Sequence, residues 1–452
     1  MLNKVFHLTE NHTTVKTECI AGVTTFMTMA YILAVNPNIL SAAGMDPTAV
    51  LLATCLASFL GTMCMGMMAN LPFALSAGMG LNAFFAYTVV GNMGYPWQVA
   101  LLAVLVVIFL VLSLTNVREA LFNVIPISLK QAVSVGIGVY IAFIGLQNAG
   151  VVVNNDSTLV SLVSFTDHFR TSGICALLAI IGIFLTAVLY LKHVKGSILI
   201  GILGTWILGI LCQLTGLYQV DAEAGYNSLI PTFAMTDFSK LGETFGQCFR
   251  VDFDGISIVN FIVVIFSFLF VDIFDTLGTL VGVCTKADML DKDGKLAKIK
   301  PALLADSIAT SAGAILGTST TTTFVESSAG VAVGGRTGLT AVVTAVLFLV
   351  SMLFAPIFIA IPSFATAPAL VIVGFLMFTT ITEIKFSEKD YVKAIPAYLC
   401  ILAMPLFYSI SEGISIGVIS YTLLHLICGR GKGVKPLMYI LTVLFILKYI
   451  FL

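Results

Sequence analysis

What most restricts the fold of this chain is a rhythm of apolar stretches, each about twenty residues long, divided by short polar breaks. An α-helix needs roughly twenty apolar residues to cross the hydrocarbon layer of a bilayer. Seven such runs fall at 17–37, 48–69, 76–92, 97–116, 128–149, 172–191 and 196–216. Seven more fall at 258–284, 301–317, 324–336, 338–361, 366–382, 394–410 and 412–428. A last apolar stretch, 436–452, carries Lys448 and fits either a partial span or a helix lying on the membrane surface. Charged residues make up only 10% of the chain, against about 25% in soluble domains, so an ordinary soluble fold is excluded. The net charge of −1 gives no basis for nucleic acid as a partner.

The placement of lysine and arginine turns the rhythm into a topology. With the first residues in the cytoplasm and sides alternating through fourteen spans, 18 basic residues fall inside and three outside, at Arg170, Lys240 and Arg250. Cytoplasmic loops carry that excess. The expected arrangement is therefore an all-α polytopic protein of the cell membrane, with fourteen transmembrane segments and both termini cytoplasmic. The segment 217–257 reads as an external linker that divides the chain into two sets of seven spans. An odd number per set gives the sets opposite orientations, the inverted-repeat plan of many secondary transporters. The third and tenth spans are too short or too glycine-rich to cross alone, and each is third in its own half. Such paired interruptions point to a transporter's binding site.

In the third span, "NLPFALSAGMGLNAFFAY", Pro72, Gly78 and Gly80 oppose a continuous helix. Extended backbone over 76–80, leading into a half-helix from about Leu81 with Asn82 in its first turn, is expected. In the tenth, the β-branched run 320–323 suits a strand. Glu326 follows near the start of a half-helix, where free N–H groups and the helix dipole favour an anion. Non-helical backbone at membrane depth is tolerated only where it is buried in protein or lines a watery cavity. Two such segments meeting there would offer backbone N–H and C=O groups to the edge of a planar, hydrogen-bonding solute.

The eighth span, "NFIVVIFSFLFVDIFDTLGTLVGVC", places Asp272 and Asp275 near the bilayer centre. Each carboxylate costs roughly 2.5–3.5 kcal/mol there, so function is the default reading of an intramembrane acid. Their i, i+3 spacing puts both on one helix face, which Thr279 continues. Either aspartate could instead cap a broken helix. A carboxyl that takes up a proton near neutral pH suits proton coupling, whereas one that stays ionised accepts N–H donors from a ring. Asp272, Asp275 and Glu326 are the candidates, and the residues alone do not divide the roles among them. Asp306 has structural and functional readings of equal weight, Arg336 reads as a topology anchor, and Glu412 as a solvated turn residue. Nine scattered cysteines, with no CxxC pair, and five scattered histidines imply no disulfide framework, metal or cofactor.

Five stretches together carry a resemblance: "ECIAGVTTFMTMAYILAVNPNILSAAGMD", "NLPFALSAGMGLNAFFAYTVV", "FLFVDIFDTLGTLVGV", "ALLADSIATSAGAILGTSTTTTFVESSAGVAVGGRTGLTA" and "ATAPALVIVGFLM". Across 15–430 the chain resembles the nucleobase/ascorbate transporter superfamily, specifically its AzgA-like purine permease branch. The resemblance implies the uracil-permease-like fold, with short strands in broken spans 3 and 10. A core domain would comprise 1–116 (spans 1–4) and 258–361 (spans 8–11). A gate domain would comprise 117–216 (spans 5–7) and 362–428 (spans 12–14), with 429–452 a C-terminal tail. Members move nucleobases, usually with protons, by sliding core against gate, and a homodimer forms through the gate.

Carried over by motif, Glu326 matches the span-10 carboxylate that binds the base, and Asp275 the span-8 acid. Phe324 would be the aromatic beside the base, while Met79 and Gly80 would give backbone contacts. Asn82 matches an asparagine linked to substrate recognition. Thr279 departs from the related uracil permease, which has histidine there, so a proton route through that side chain does not transfer and Asp272 or Asp275 takes its place.

A proton-coupled importer of hypoxanthine, guanine or adenine is thus the expected function. The alternative is an anion transporter of the sulfate-permease type, which shares the architecture, although buried carboxylates would repel an anion. An intramembrane enzyme finds no support: HExxH and paired Ser–His or Cys–His arrangements are missing from the sequence.

Overall fold

The computed structural model describes residues 2–451 except 114–123, 195, 222–224, 232–233, 254–255, 259, 270–271, 273–278, 280–288, 290–297, 325 and 388–389. The first half contains α1 (Val15–Met29), α2 (Ile32–Ser41), α3 (Pro47–Cys64), α4 (Met79–Ala83), α5 (Trp97–Ser113), α6 (Ile127–Asn148), α7 (Ile174–Leu191) and α8 (Ser197–Leu214). The second contains α9 (Asn260–Leu269), α10 (Ile299–Leu316), α11 (Ser327–Ala332), α12 (Gly338–Ser351), α13 (Ser363–Phe378), α14 (Tyr391–Leu406), α15 (Ile410–Ile427) and α16 (Pro436–Phe451). Among the described residues, nine helical stretches are long and apolar enough to cross a membrane. Large side chains such as Phe184, Leu191, Leu214 and Ile427 stand exposed on their outer faces, where lipid would bear them at no cost. The chain is a polytopic helical membrane protein.

Helix ends follow local chemistry. Asp46 caps α3, accepting from the Ala49 N–H at 2.9 Å, with Pro47 in the first turn, where its missing N–H is harmless. Thr14, Thr337 and Ser409 cap α1, α12 and α15 in the same way. Gly317, at φ +99°, ends α10 in the left-handed conformation and turns the chain into the threonine run.

Packing gathers the helices into two sets. α1, α2, α3, α5, α10, α11 and α12 pack mainly on one another, and α6, α7, α8, α13, α14 and α15 do the same. Among the described residues, links between the sets are sparser and run chiefly through α4 on α6, α1 on α8 and α2 on α13. Within the second set, α6 and α13 touch backbone to backbone. A Cβ on Gly138 would lie 2.5 Å from the Gly374 carbonyl oxygen, and one on Gly374 2.4 Å from that of Gly138. Small residues permit this approach where lipid gives helices no hydrophobic drive to associate.

Two short sheets complete the fold. β1 (Leu75–Ala77) pairs antiparallel with β4 (Thr321–Thr323), with Leu75 opposite Thr323, Ser76 opposite Thr322 and Ala77 opposite Thr321. β2 (Val152–Asn155) and β3 (Leu159–Leu162) form a hairpin after α6. The Asn155 side chain accepts from the N–H groups of Ser157 and Thr158 in its turn.

Beyond α15 the chain folds back. The Thr442 hydroxyl donates to that of Thr422 at 2.8 Å, and the Tyr449 hydroxyl donates to the Glu412 carboxylate. Those pairs lie at opposite ends of α15, so α16 runs antiparallel along most of it. Glu412, expected at a solvated turn, is a partner of that helix.

Candidate functional site

The β1–β4 ribbon joins the two halves of the sequence at its most irregular places. Beyond the register pairs, the Gly78 N–H donates to the Thr320 carbonyl and the Phe324 N–H to the Ala74 carbonyl, both at 3.0 Å. Each strand runs almost directly into a short helix, β1 into α4 and β4 into α11. Because the strands are antiparallel, the two half-helices leave from opposite ends of the ribbon and point in opposite directions. Their N-termini, where backbone N–H groups are unpaired by the helix, lie at opposite ends of the ribbon.

A two-stranded ribbon has two bare edges, and on each a threonine satisfies the backbone of one residue. Thr62 of α3 donates to the Leu75 carbonyl (3.0 Å) and accepts the Leu75 N–H (2.9 Å). Thr310 of α10 donates to the Thr321 carbonyl (2.7 Å) and accepts the Thr321 N–H (3.1 Å). Leu75 and Thr321 are the first residues of their strands, and each threonine comes from the long helix before its strand. The Ser58 and Ser76 hydroxyls pair at 2.7 Å, and Ser327 accepts the Ala74 N–H at 3.0 Å. The hydroxyls of Thr320 and Thr323 are buried and find no hydrogen-bond partner among the described residues.

Glu326 lies at the start of α11. Its Oε1 accepts the Tyr31 hydroxyl at 2.7 Å, and its carbonyl accepts the Thr28 hydroxyl at 3.4 Å. The Phe324 ring is 5% exposed, its centroid 6.5 Å from that of Tyr31. Met79 and Gly80 open α4, both buried. A Cβ on Gly80 would come within 2.9 Å of Ile137 in α6, so this turn abuts the second helix set. Asn82 is fully buried in a polar cluster. Its amide donates to the Asn36 carbonyl oxygen and accepts the Ser319 hydroxyl, while the Asn36 amide donates to Thr54 (2.7 Å) and Thr318 (3.0 Å). Asp272 is buried, at 4% exposure. Thr279 is half-buried, and Asp275 lies outside the described residues. Ribbon, Phe324, Glu326, Met79, Gly80 and Asn82 therefore belong to one assembly.

Sequence reasoning missed Tyr31, Thr62, Thr310 and Glu18. Glu18, fully buried in α1, accepts the N–H of Arg336 (2.9 Å), Thr337 (3.3 Å) and Thr340 (3.2 Å) and the Thr340 hydroxyl (2.6 Å). It satisfies the N-terminus of α12 as a buried carboxylate should, through charge-assisted bonds. Arg336, expected as a topology anchor, donates to the carbonyls of Val331 and Gly335 at the end of α11. For Glu18 and the two threonines the available signal was a polar side chain on an otherwise apolar helix.

Residues 16–416 match the model of a permease family, the xanthine/uracil permeases. The chain belongs to this family. The adenine permease AdeP of Escherichia coli is 41% identical over 456 residues, covering 100% of this chain and 96% of that one. The guanine/hypoxanthine permease PbuG of Bacillus subtilis is 43% identical over 458 residues, covering 99% of each. Among solved structures, the transmembrane domain of the cyanobacterial bicarbonate transporter BicA superposes with a TM-score of 0.61 at 14% identity, covering 89% of this chain and 97% of that one. At that identity the superposition speaks for the fold. A permease with such relatives is a transporter and not an enzyme.

Proposed function

We propose that this permease imports purine nucleobases across the cell membrane by proton symport. The observation that carries the reading is Glu326: a half-buried carboxylate at the head of a half-helix, beside Phe324 and a threonine ribbon. An aromatic face to stack on and an acceptor for ring N–H donors are what a planar base requires. That relatives similar over almost their whole length are named for adenine and for guanine and hypoxanthine supports the same substrate class.

In this reading Glu326 and Phe324 contact the base, Met79 and Gly80 offer backbone groups, and Asp275 and Thr279 close the site from the eighth span. Asn82 acts through Asn36 and Ser319, holding the turn 317–320 against α2. Asp272, Asp275 or Glu326 carries the proton.

Fourteen spans form two inverted repeats, and the matched pair of Thr62 on β1 and Thr310 on β4 supports that symmetry. The core comprises 1–116 and 258–361, the gate 117–216 and 362–428, joined by the external linker 217–257. The sparse contacts between the two helix sets suit an elevator motion of core past gate, and two copies meet through the gate. The N-terminus and the loop 428–435 are cytoplasmic. Because α16 runs back along α15, we place its last residues on the external side, revising the expectation of a wholly cytoplasmic tail.

Competition uptake tests the substrate. Labelled hypoxanthine entering cells that express the chain should be displaced by unlabelled guanine, adenine or both, and not by uracil. Glu326→Gln should reach the membrane and lose at least tenfold in uptake. Undiminished uptake in that variant would remove Glu326 from the site.

A further inference from the structure

We infer that Tyr31 is a positioning residue for base binding: its hydroxyl fixes the carboxylate of Glu326 in the orientation that receives the substrate. The inference rests on the reading that Glu326 holds the base. It adds a residue from the first span to a site otherwise built from the two broken segments and the eighth span.

Tyr31 stands at the joint between α1 and α2, where the backbone leaves the regular helix. The Leu33 N–H donates to the Ala30 carbonyl (3.1 Å) and the Ala34 N–H to the Tyr31 carbonyl (3.0 Å), so the turn is tightened rather than open. The ring is fully buried. Burial leaves a phenol in need of a partner, and the Glu326 Oε1 at 2.7 Å supplies it. A bond from a hydroxyl to a carboxylate is of the stronger, charge-assisted kind.

The register of that contact is set by the backbone. A Cβ on Gly330 would lie 2.1 Å from the Thr25 hydroxyl oxygen and 2.8 Å from the Ala21 carbonyl oxygen, so α11 rests directly on α1. Thr28, one turn before Tyr31, donates to the Glu326 carbonyl. α1 thus holds Glu326 at two atoms, the main-chain oxygen through Thr28 and the side chain through Tyr31. The Phe324 ring is the next neighbour of Tyr31, at 6.5 Å. Tyr31 accordingly lies against both side chains assigned to the base. A carboxylate offers about four lone-pair sites. Tyr31 takes one on Oε1 and so sets the orientation in which the group meets a ring N–H.

The experiment measures equilibrium binding of tritiated hypoxanthine and tritiated adenine to the purified full-length chain in detergent, using wild type, Tyr31→Phe and Glu326→Gln. The wild type should bind at least one of the two bases. Tyr31→Phe keeps the ring and should raise the Kd of that base by roughly tenfold or more, the usual consequence of losing a bond to a charged group. Its unliganded melting temperature and its Vmax in uptake should change far less. Glu326→Gln should abolish binding. If Glu326→Gln abolishes binding while Tyr31→Phe stays within threefold of wild type, the positioning role is overturned and the site reading stands. If Glu326→Gln binds as wild type does, the site reading itself falls. A second measurement covers the case of a Tyr31→Phe variant that does not fold. 3-Fluorotyrosine at position 31 keeps ring and donor, and its fluorine resonance should shift on base binding. A resonance that saturating base leaves unmoved overturns the proposal.

Discussion

Thr62 and Thr310 each satisfy the outward-facing backbone of one strand residue, Leu75 and Thr321. A buried peptide group without a partner costs about 1–3 kcal/mol, and each threonine answers one N–H and one C=O with a single hydroxyl. Thr310→Val should therefore lower stability by about 1–3 kcal/mol, read as a fall in melting temperature in detergent, and Thr310→Ser should recover most of the loss. An unchanged melting temperature for the valine variant would mean that water, not Thr310, satisfies the strand. Asp272, Glu326 and Asn82 stand out in the sequence because a charge or amide in an apolar run is expensive and so conspicuous. Tyr31, Thr62 and Thr310 do not, because tyrosine and threonine are ordinary in membrane helices and their roles lie in their partners. Tyr31 and Glu326 are 295 positions apart, a relation that no local pattern carries.

At the scale of elements, the ribbon was foreseeable in kind and imprecise in extent. β-branching over 320–323 agrees with β4 at Thr321–Thr323, whereas extended backbone expected over 76–80 becomes a strand at Leu75–Ala77 and a helix from Met79. The reason is Gly78, whose carbonyl already accepts the Asn82 N–H at 2.9 Å and so starts the helix two residues early. The β2–β3 hairpin went unread because "VVVNNDSTLVSLV" lies in a connection between spans; its valines and Asn-Asp turn were the signal. The contact of α11 with α1 gives the prediction that belongs here. Gly330→Ala drives a methyl into the Ala21 carbonyl and the Thr25 hydroxyl, which should cost about 1–3 kcal/mol as overpacking does. Because it also lifts Glu326 away from Tyr31, the KM for purine should rise by more than Vmax falls, as a kinetic series would show. A proportionate loss of both would indicate damage without displacement of the site.

For the whole molecule, the helix boundaries agree with the apolar runs within a few residues over most of the described chain, while the sidedness expected from Lys and Arg rests on the sequence alone. The course of α16 was beyond reach, since a stretch with one lysine reads equally as a span or a surface helix. Its bonds to Thr422 and Glu412 decide in favour of a return along α15. In a background without other cysteines, Phe451→Cys should react with a membrane-impermeant maleimide from outside intact cells, and Cys428 alone should not. The reverse pattern would put the last helix back on the cytoplasmic side. The core and gate division makes a demand of its own: a disulfide clamp between the sets should arrest transport while leaving folding intact.

Transport itself gives the most direct test. Purified chain in proteoliposomes, with the inside made alkaline and labelled hypoxanthine or adenine supplied outside, should accumulate base above its external concentration. A protonophore should collapse that accumulation, and Glu326→Gln should not show it. Uptake that proceeds at the same rate without the gradient would contradict proton symport, and vesicles that take up bicarbonate or sulfate but no purine would contradict the account as a whole.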